Sequence, residues 1–406
     1  MLSATPFIFF LLLLLVALLC EPWAKKIHLP FSIVLVAIGF LGSEITTNLL
    51  ALDTGIRWDN FKFIIFYIIL PILIFQAAIE INIKLLWHNI VPIILMTLPL
   101  MMVSVFVIAW VLYFGIDHPI GFPWIAALIA GALLSATDPA SVISLLKQEN
   151  TPEKLQILLE GESLFNYATA IMFFHLFIAI ATQNQQSTDF LMLSLRFIEV
   201  FCGGIIIGIF IGLISSFIIN LLDEAQGFVL ISIITAYTVF FVAEDIFHFS
   251  GVIAVLICGI TVAWRCKSQL YHDSYVRQSW QLFGKVAEAL IFLLAGVTIT
   301  LMMFLDQWLA ILIGIAAVIV ARVATIYGFF PLISVLPGVE TVSLRHQTIL
   351  VWGGVRGTVT LALALSLPLT LDYWYTIQSI AYGVVLFTLF FQTISMPLIL
   401  RKLIRP

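Results

Sequence analysis

Long apolar stretches, separated by short polar or Pro- and Gly-containing segments, run along the whole chain. A transmembrane helix needs about 20 mostly apolar residues. Candidate stretches lie near residues 6–21, 29–43, 61–79, 90–114, 122–147, 155–182, 189–220, 226–245, 249–264, 279–302, 306–329, 346–369 and 375–400. Their uniform apolar character argues against a transmembrane β-barrel, whose strands alternate in polarity. The pattern predicts an all-α polytopic membrane protein with about thirteen transmembrane helices.

Composition supports a lipid environment. Of the 406 residues, 62% are hydrophobic and 10% are charged, whereas a soluble domain carries about 25% charged residues. A soluble enzyme and a disordered protein are therefore excluded. The formal charge of -4 comes with no basic run, so a nucleic-acid partner is excluded too. The partner that composition predicts is the lipid bilayer, and we expect residues 1–406 to form one transmembrane domain without a soluble tail.

Basic residues in the loops predict the orientation. If the N-terminus lies outside, the loops on that same outer side carry only Arg57 and Lys62. The cytoplasmic loops and end then carry Lys25, Lys26, Lys84, Lys147, Lys154, Arg265, Lys267, Arg277, Lys285, Arg345, Arg401, Lys402 and Arg405. This asymmetry follows the positive-inside rule. It predicts an odd number of spans and a cytoplasmic C-terminus, and we expect a bacterial inner membrane.

Charged residues inside a span are costly and are candidates for function. In the fifth span, Thr137 and Asp138 precede Pro139, which disfavours helix at and just before its position. We expect the helix to break there, because irregular backbone at membrane depth survives where it lines a cavity. A carboxylate beside freed carbonyl groups suits a small cation.

Two polar pairs lie on adjacent faces of the sixth span. Glu162 and Asn166 are spaced i, i+4, and so are Ser163 and Tyr167, so each pair shares a face. The functional interpretation is a polar site aimed at the fifth span. The alternative is a polar packing seam with a satisfied carboxylate.

The twelfth span carries a buried cation, Arg356, among three glycines that loosen the helix. A buried cation needs an anion, and we expect Glu162 or Asp138 to be its partner. The fifth and twelfth spans lie seven positions apart in the order of spans. That spacing is what two inverted six-helix repeats joined by a linking helix would require.

The chain resembles the cation:proton antiporter superfamily, in the branch of the bacterial NhaP antiporters and the eukaryotic sodium/proton exchangers. The similar motifs are ATDP at 136–139, EGES at 160–163 with Asn166, SGVIAV at 250–255, EALIFLLAG at 288–296, and WGGVRG at 352–357 running into LALALSLP at 361–368. The resemblance implies crossed broken helices in a core formed by about 90–182 and 306–369. The remaining helices would form a dimerisation part, which implies a homodimer.

The implied activity is secondary transport, namely exchange of Na⁺, Li⁺ or K⁺ for H⁺, and not enzymatic catalysis; no cofactor is expected. By resemblance, Thr137, Asp138 and Ser163 belong to the ion site, with Na⁺ at Asp138. Glu162, Asn166 and Arg356 would form a structural polar network.

One position departs from the family pattern. Tyr167 follows Asn166, where the family has an aspartate that binds the ion and carries the proton. A phenol stays neutral at pH 7, so Tyr167 brings an oxygen without a charge. Asp138 could then carry the exchange, because a carboxylate out of water holds its proton more tightly. The alternatives are a transport-impaired or repurposed protein and a channel-like uniporter.

Glu288 and His175 are accessory candidates inside spans, and Arg322 is a further ionisable residue within a span. Glu288 could contribute a carboxylate, although a structural hydrogen bond is the simpler interpretation. His175 lies eight residues after Tyr167 and could relay protons or sense pH, although a histidine with satisfied hydrogen bonds or one that faces the lumen is the simpler interpretation. Arg322 in the eleventh span is expected to pair with a helix C-terminus or a lipid headgroup.

Overall fold

The structure, a computed structural model, describes residues 5–26, 30–46, 61–116, 121–138, 140–149, 151–182, 190–266, 273–333 and 342–404. Pro139 and the loop residues Arg57, Lys267 and Arg405 lie outside these ranges. Within them, the regular elements are helices. This confirms the predicted all-α class, and the reason is that a helix satisfies its own backbone groups where water is absent.

Besides a π-helical segment at Ile64–Ile69, the described residues of the first half of the chain contain eleven helices. They are α1 (Thr5–Lys26), α2 (Phe31–Glu44), α3 (Phe61–Phe63), α4 (Leu70–Glu80), α5 (Ile83–His88), α6 (Ile90–Thr97), α7 (Pro99–Gly115), α8 (Trp124–Ser135), α9 (Ala140–Gln148), α10 (Glu153–Thr182) and α11 (Phe190–Leu222).

The second half has π-helical segments at Val242–Ile246 and Thr388–Gln392. Its helices are α12 (Ala225–Phe241), α13 (Gly251–Arg265), α14 (Ser274–Thr298), α15 (Leu301–Asp306), α16 (Trp308–Ile333), α17 (Leu344–Trp352), α18 (Thr358–Leu365), α19 (Trp374–Phe387) and α20 (Thr393–Ile404).

Eight helical stretches in the described residues are long and apolar enough to cross a membrane, and four apolar helices are shorter. The shorter ones are Leu11–Trp23, Phe31–Glu44, Trp124–Ser135 and Gly251–Arg265. Each predicted span coincides with a helix or with a pair of helices. The chain is therefore a multi-pass membrane protein, and the count of thirteen crossings stays a prediction.

The chain forms two compact units. The first contains residues Met1–Lys62, Val91–Phe177 and Ala289–Pro406, and the second contains Phe63–Ile90 and Ile178–Glu288. In the first unit, α7 packs against α8 and α16, while α19 packs against α8, α16 and α18. In the second unit, α13 packs against α4, α11 and α12. The proposed ion-site residues, from Thr137 to Arg356, all lie in the first unit.

Both expected interruptions are confirmed. The fifth span divides into α8, which ends at Ser135, and α9, which begins at Ala140. The twelfth span divides into α17, which ends at Trp352, and α18, which begins at Thr358. The backbone N–H of Asp138 donates to the carbonyl of Val355 over 2.6 Å. The two irregular segments therefore cross in direct backbone contact.

Candidate functional site

The break in each span leaves helix termini inside the protein, and these termini explain the polar residues around them. A helix end leaves N–H or C=O groups without a partner in the helix. Water is scarce at this depth, so side chains must supply those partners. The hydrogen bonds at the crossing supply these partners reciprocally, because each broken span contributes side chains that bind the free backbone groups at a helix end of the other span.

Asp138 covers the N-terminus of α18. Its Oδ2 atom accepts hydrogen bonds from the backbone N–H of Thr358, at 3.0 Å, and from the Thr358 hydroxyl, at 2.8 Å. Its Oδ1 atom has a longer contact of 3.4 Å with the N–H of Ala140, at the start of α9. A carboxylate at a helix N-terminus also interacts favourably with the helix dipole. The half-buried Asp138 carboxylate is thus held at the start of α18 and lies near the start of α9.

Gly357 allows this close approach. A Cβ atom at this position would lie 2.5 Å from Asp138 Oδ2 and 2.9 Å from Asp138 Cβ. Atoms this close would force the carboxylate away from α18. The third glycine of the WGGVRG motif is therefore explained by the space that Asp138 occupies.

Arg356 and Thr360 cover the C-terminus of α8. The Nε atom of Arg356 donates to the carbonyl of Leu134 at 2.9 Å, and its Nη1 atom donates to the carbonyl of Gly354. The Thr360 hydroxyl donates to the carbonyl of Leu133 at 3.0 Å. Arg356 is only 1% exposed. Its charge is compensated largely by carbonyl dipoles, which are concentrated at a helix C-terminus.

Arg322 neutralises Glu162 and covers the C-terminus of α17. Its guanidinium forms a bidentate pair with the Glu162 carboxylate, in which Nη2 and Oε2 are 2.9 Å apart. Nε and Nη2 also donate to the carbonyl of Leu350, at 3.2 and 3.0 Å. Among the described residues, Arg356 has no hydrogen bond or ion pair with Glu162 or Asp138, so the predicted pairing is wrong. The prediction that Arg322 pairs with a helix C-terminus is confirmed.

The neutral residues join α10 to the first break. The Ser163 hydroxyl donates to the carbonyl of Thr137 at 2.6 Å. The Asn166 amide nitrogen is 3.3 Å from Thr137 Oγ1 and 3.5 Å from Glu162 Oε1. Among the described residues, the Asn166 Oδ1 atom is buried and has no hydrogen-bond partner. It is therefore an oxygen available to a ligand.

Tyr167, His175 and Glu288 are not placed in this network by a described contact. Tyr167 follows Asn166 on α10 and is half-buried. His175 is half-buried two turns further along α10, with its ring 6.0 Å from that of Phe174. Glu288 is half-buried on α14, at the end of the second unit. Their functional roles stay predictions.

Sequence reasoning missed three threonines. Thr358 and Thr360 act as described above, and the Thr388 hydroxyl accepts from the N–H of Arg356 at 3.1 Å. Hydroxyl residues beside the glycines of the twelfth span were the available signal for the first two. Nothing in the local pattern marks Thr388, because it lies 32 positions from its partner.

The charges at the crossing are balanced. Asp138 and Glu162 are the acids, Arg322 and Arg356 are the bases, and the helix ends complement them. No group of three or more His, Cys, Asp or Glu that could hold a metal ion occurs in the part of the chain that the structure describes. A cation at the crossing would meet one partly exposed carboxylate, Asp138, and otherwise neutral oxygens.

Crossed broken helices with charged residues at membrane depth are characteristic of secondary transporters. The chain belongs to the sodium/hydrogen exchanger family, since the family model described as "Sodium/hydrogen exchanger, transmembrane" matches residues 11–402. This bears out the resemblance inferred from the motifs; the place of Tyr167 within the family pattern stays untested.

Individual proteins give the same picture. The chain is 33% identical to the Na⁺/H⁺ antiporter ApNhaP of Aphanothece halophytica, over 93% of this chain and 70% of that protein. It is 30% identical to the Na⁺/H⁺ antiporter NhaH of Halobacillus dabanensis, over 98% of both. In structure it is similar to the sodium proton antiporter MjNhaP1 of Methanocaldococcus jannaschii, with a TM-score of 0.83, 20% identity and 99% of both chains covered. The structural likeness shows the fold.

Proposed function

We propose that this protein is a secondary transporter that exchanges a monovalent cation, Na⁺ above all, for H⁺ by alternating access. Membership of the exchanger family supports this function, as do the relatives named Na⁺/H⁺ antiporters that match over nearly the whole chain. The observation that carries the proposal is the half-buried carboxylate of Asp138 at the crossing of the broken helices. Li⁺ and K⁺ are the other candidate ions.

In this proposal Asp138 binds the cation and the proton in turn. Glu162 is committed to Arg322, and Arg356 is committed to carbonyl groups. The Thr137, Ser163 and Asn166 oxygens would complete the coordination of the cation, and Tyr167 would add a neutral phenol. Unwound backbone and neutral oxygens of this kind coordinate Na⁺ in other transporters. Glu162, Asn166 and Arg356, together with Arg322, would maintain the geometry of the crossing.

The exchange stoichiometry follows from the number of available carboxylates. A proton on Asp138 must leave before a cation can bind there, and the reverse holds on the other side of the membrane. The single carboxylate binds either one proton or one monovalent cation, so each direction of transport moves one positive charge. We therefore expect one-for-one, electroneutral exchange whose rate does not respond to an imposed membrane potential.

The decisive experiment measures proton flux in liposomes that contain the purified protein. Na⁺, Li⁺ and K⁺ are added in turn across a range of pH. Wild type is expected to dissipate a pH gradient with at least one of them, while Asp138→Asn abolishes this flux. Asp306→Asn, which makes the same chemical change at an exposed residue of α15, is the matched control and should retain it.

The assay also separates the alternatives. A proton gradient that survives all three cations in the wild type would refute the antiport proposal and indicate a transport-impaired protein. Cation current without proton movement would indicate a uniporter. Full activity of Asp138→Asn would assign the proton to another acid, with Glu288 the first to test.

We further propose an outside N-terminus, a bacterial inner-membrane location and a homodimer with core and dimerisation parts as the motifs imply. The asymmetric basic residues support the orientation. A C-terminal reporter that is active only in the cytoplasm tests the orientation. An inactive reporter would show that the topology is the reverse of the proposed one. Light scattering of the detergent-solubilised protein tests the dimer, which a monomer mass would refute.

A further inference from the structure

Thr358 makes the shortest hydrogen bond of the described residues to the Asp138 carboxylate. Two groups of this residue contact one oxygen, since its hydroxyl lies 2.8 Å and its backbone nitrogen 3.0 Å from Asp138 Oδ2. Thr358 is 4% exposed and is the first residue of α18. The backbone donor is therefore fixed by the half-helix that Asp138 caps, and the hydroxyl donor belongs to a buried side chain of the same residue.

The two oxygens of Asp138 are consequently unequal. Oδ2 is engaged by two donors at ordinary hydrogen-bond distance, whereas the N–H of Ala140 lies 3.4 Å from Oδ1, a long contact. A distance of 3.4 Å exceeds the usual 2.7–3.2 Å range of N–H···O bonds. Oδ1 is thus the oxygen with capacity for an additional ligand.

Nothing within the Asp138 side chain itself would maintain this difference. The terminal torsion of an aspartate is broad and roughly two-fold, so an unanchored carboxylate exchanges its oxygens and samples many orientations. A ligand that binds a mobile group must order it, and that ordering weakens the binding. Gly357 leaves room for the carboxylate, but a missing side chain cannot orient it.

We propose that Thr358 is a positioning residue of the cation site. Its hydroxyl holds Asp138 Oδ2 against the start of α18 by a hydrogen bond, and this orientation leaves Oδ1 to bind the transported cation. This inference rests on the proposed cation/proton exchange and names a residue that sets the cation affinity of that site. Thr358 itself does not contact the cation.

The test compares the apparent KM for Na⁺ with the maximal rate in proteoliposomes. Thr358→Val keeps the shape of the side chain and removes the hydroxyl donor. We expect the apparent KM to rise about tenfold, equivalent to about 1.4 kcal/mol, while the maximal rate stays within about twofold of wild type. Thr358→Ser, which keeps the hydroxyl, should restore the wild-type KM.

Thr97→Val is the matched control. Thr97 is a buried threonine of the same unit, and its hydroxyl donates to the carbonyls of Ile93 and Ile94 in its own helix. It should leave the apparent KM unchanged. If Thr358→Val does not fold, Thr358→Ala carries the same prediction, and failure of both to fold overturns the positioning role in favour of a purely structural one.

The outcomes separate this inference from the proposed function. Absence of cation-dependent proton flux in the wild type refutes the exchange itself. Exchange in the wild type with an unchanged KM in Thr358→Val refutes only the role of Thr358. An equal rise in KM in the Val and Ser variants also refutes it, because the hydroxyl would then not be the group responsible.

Discussion

The two broken spans meet at one crossing but solve the problem of exposed helix ends in opposite ways. The α8–α9 break supplies an anion, Asp138, which covers the N-terminus of α18. The α17–α18 break supplies a cation, Arg356, which covers the C-terminus of α8. The first break contains a carboxylate that is partly exposed, and the second contains a guanidinium that is fully buried.

In the proposed mechanism, that difference separates the group that binds the ion from a group that only stabilises the crossing. Arg356 is 1% exposed and donates to the carbonyls of Leu134 and Gly354. Asp138 keeps an oxygen with only one long contact. The crossing therefore shows that both helix ends can be covered by charged side chains while one of these charges, on Asp138, stays partly exposed.

The largest expected effect comes from Arg322, which balances the charge beside both breaks. Arg322→Met leaves the Glu162 carboxylate, 2% exposed, without its partner and removes the donors to Leu350. Removing one member of a buried pair costs about 3–5 kcal/mol. The variant should therefore unfold at a clearly lower temperature than wild type in a detergent melting experiment.

Two further variants test that interpretation. Arg196→Met removes an exposed arginine paired with Glu199 at 2.8 Å, and it should change stability by less than about 1 kcal/mol. The double variant Arg322→Met with Glu162→Gln should recover part of the loss, because no charge is then left unpaired. A melting temperature of Arg322→Met equal to that of wild type would contradict the assigned role of the pair.

An intermediate effect is expected from adding a charge beside the first break. Tyr167→Asp places a second carboxylate next to Asn166, where the charges are otherwise balanced. The apparent Na⁺ affinity should rise about tenfold, equivalent to about 1.4 kcal/mol. Na⁺-dependent proton flux measures it. Tyr167→Asn is the control, because asparagine has the size of aspartate but is neutral. Equal Na⁺ affinities in the two variants would show that residue 167 does not face the ion.

The smallest expected effect concerns a single neutral hydrogen bond between the breaks. Thr360→Val removes the donor to the carbonyl of Leu133. A hydrogen bond of this kind contributes about 1 kcal/mol, so the melting temperature should fall slightly. Thr360→Ser keeps the donor and should match the wild type. If the Val and Ser variants have the same melting temperature, the Thr360 hydroxyl does not stabilise the end of α8.

The local sequence pattern was sufficient to predict a structural feature wherever neighbouring residues alone cause that feature. Pro139 disfavours helix at and before its position, and the glycines of the WGGVRG motif loosen theirs, so both breaks were predictable. The polar face of α10 was also predictable from i, i+4 spacing. The ion-pair partners were not predictable from the sequence. The choice between Arg322 and Arg356 as the partner of Glu162 depends on the relative positions of three separate helices.

Composition and long apolar stretches were enough to establish a helical membrane protein, and proline and glycine positions were enough to predict its two interrupted spans, since those properties depend on neighbouring residues and on the bilayer. Tertiary structure alone decided which charge meets which helix end. Glu162 and Arg322 are 160 positions apart, and Asp138 and Thr358 are 220 positions apart. Hydrogen bonds act over about 3 Å, so only the folded arrangement of the helices determines these pairs.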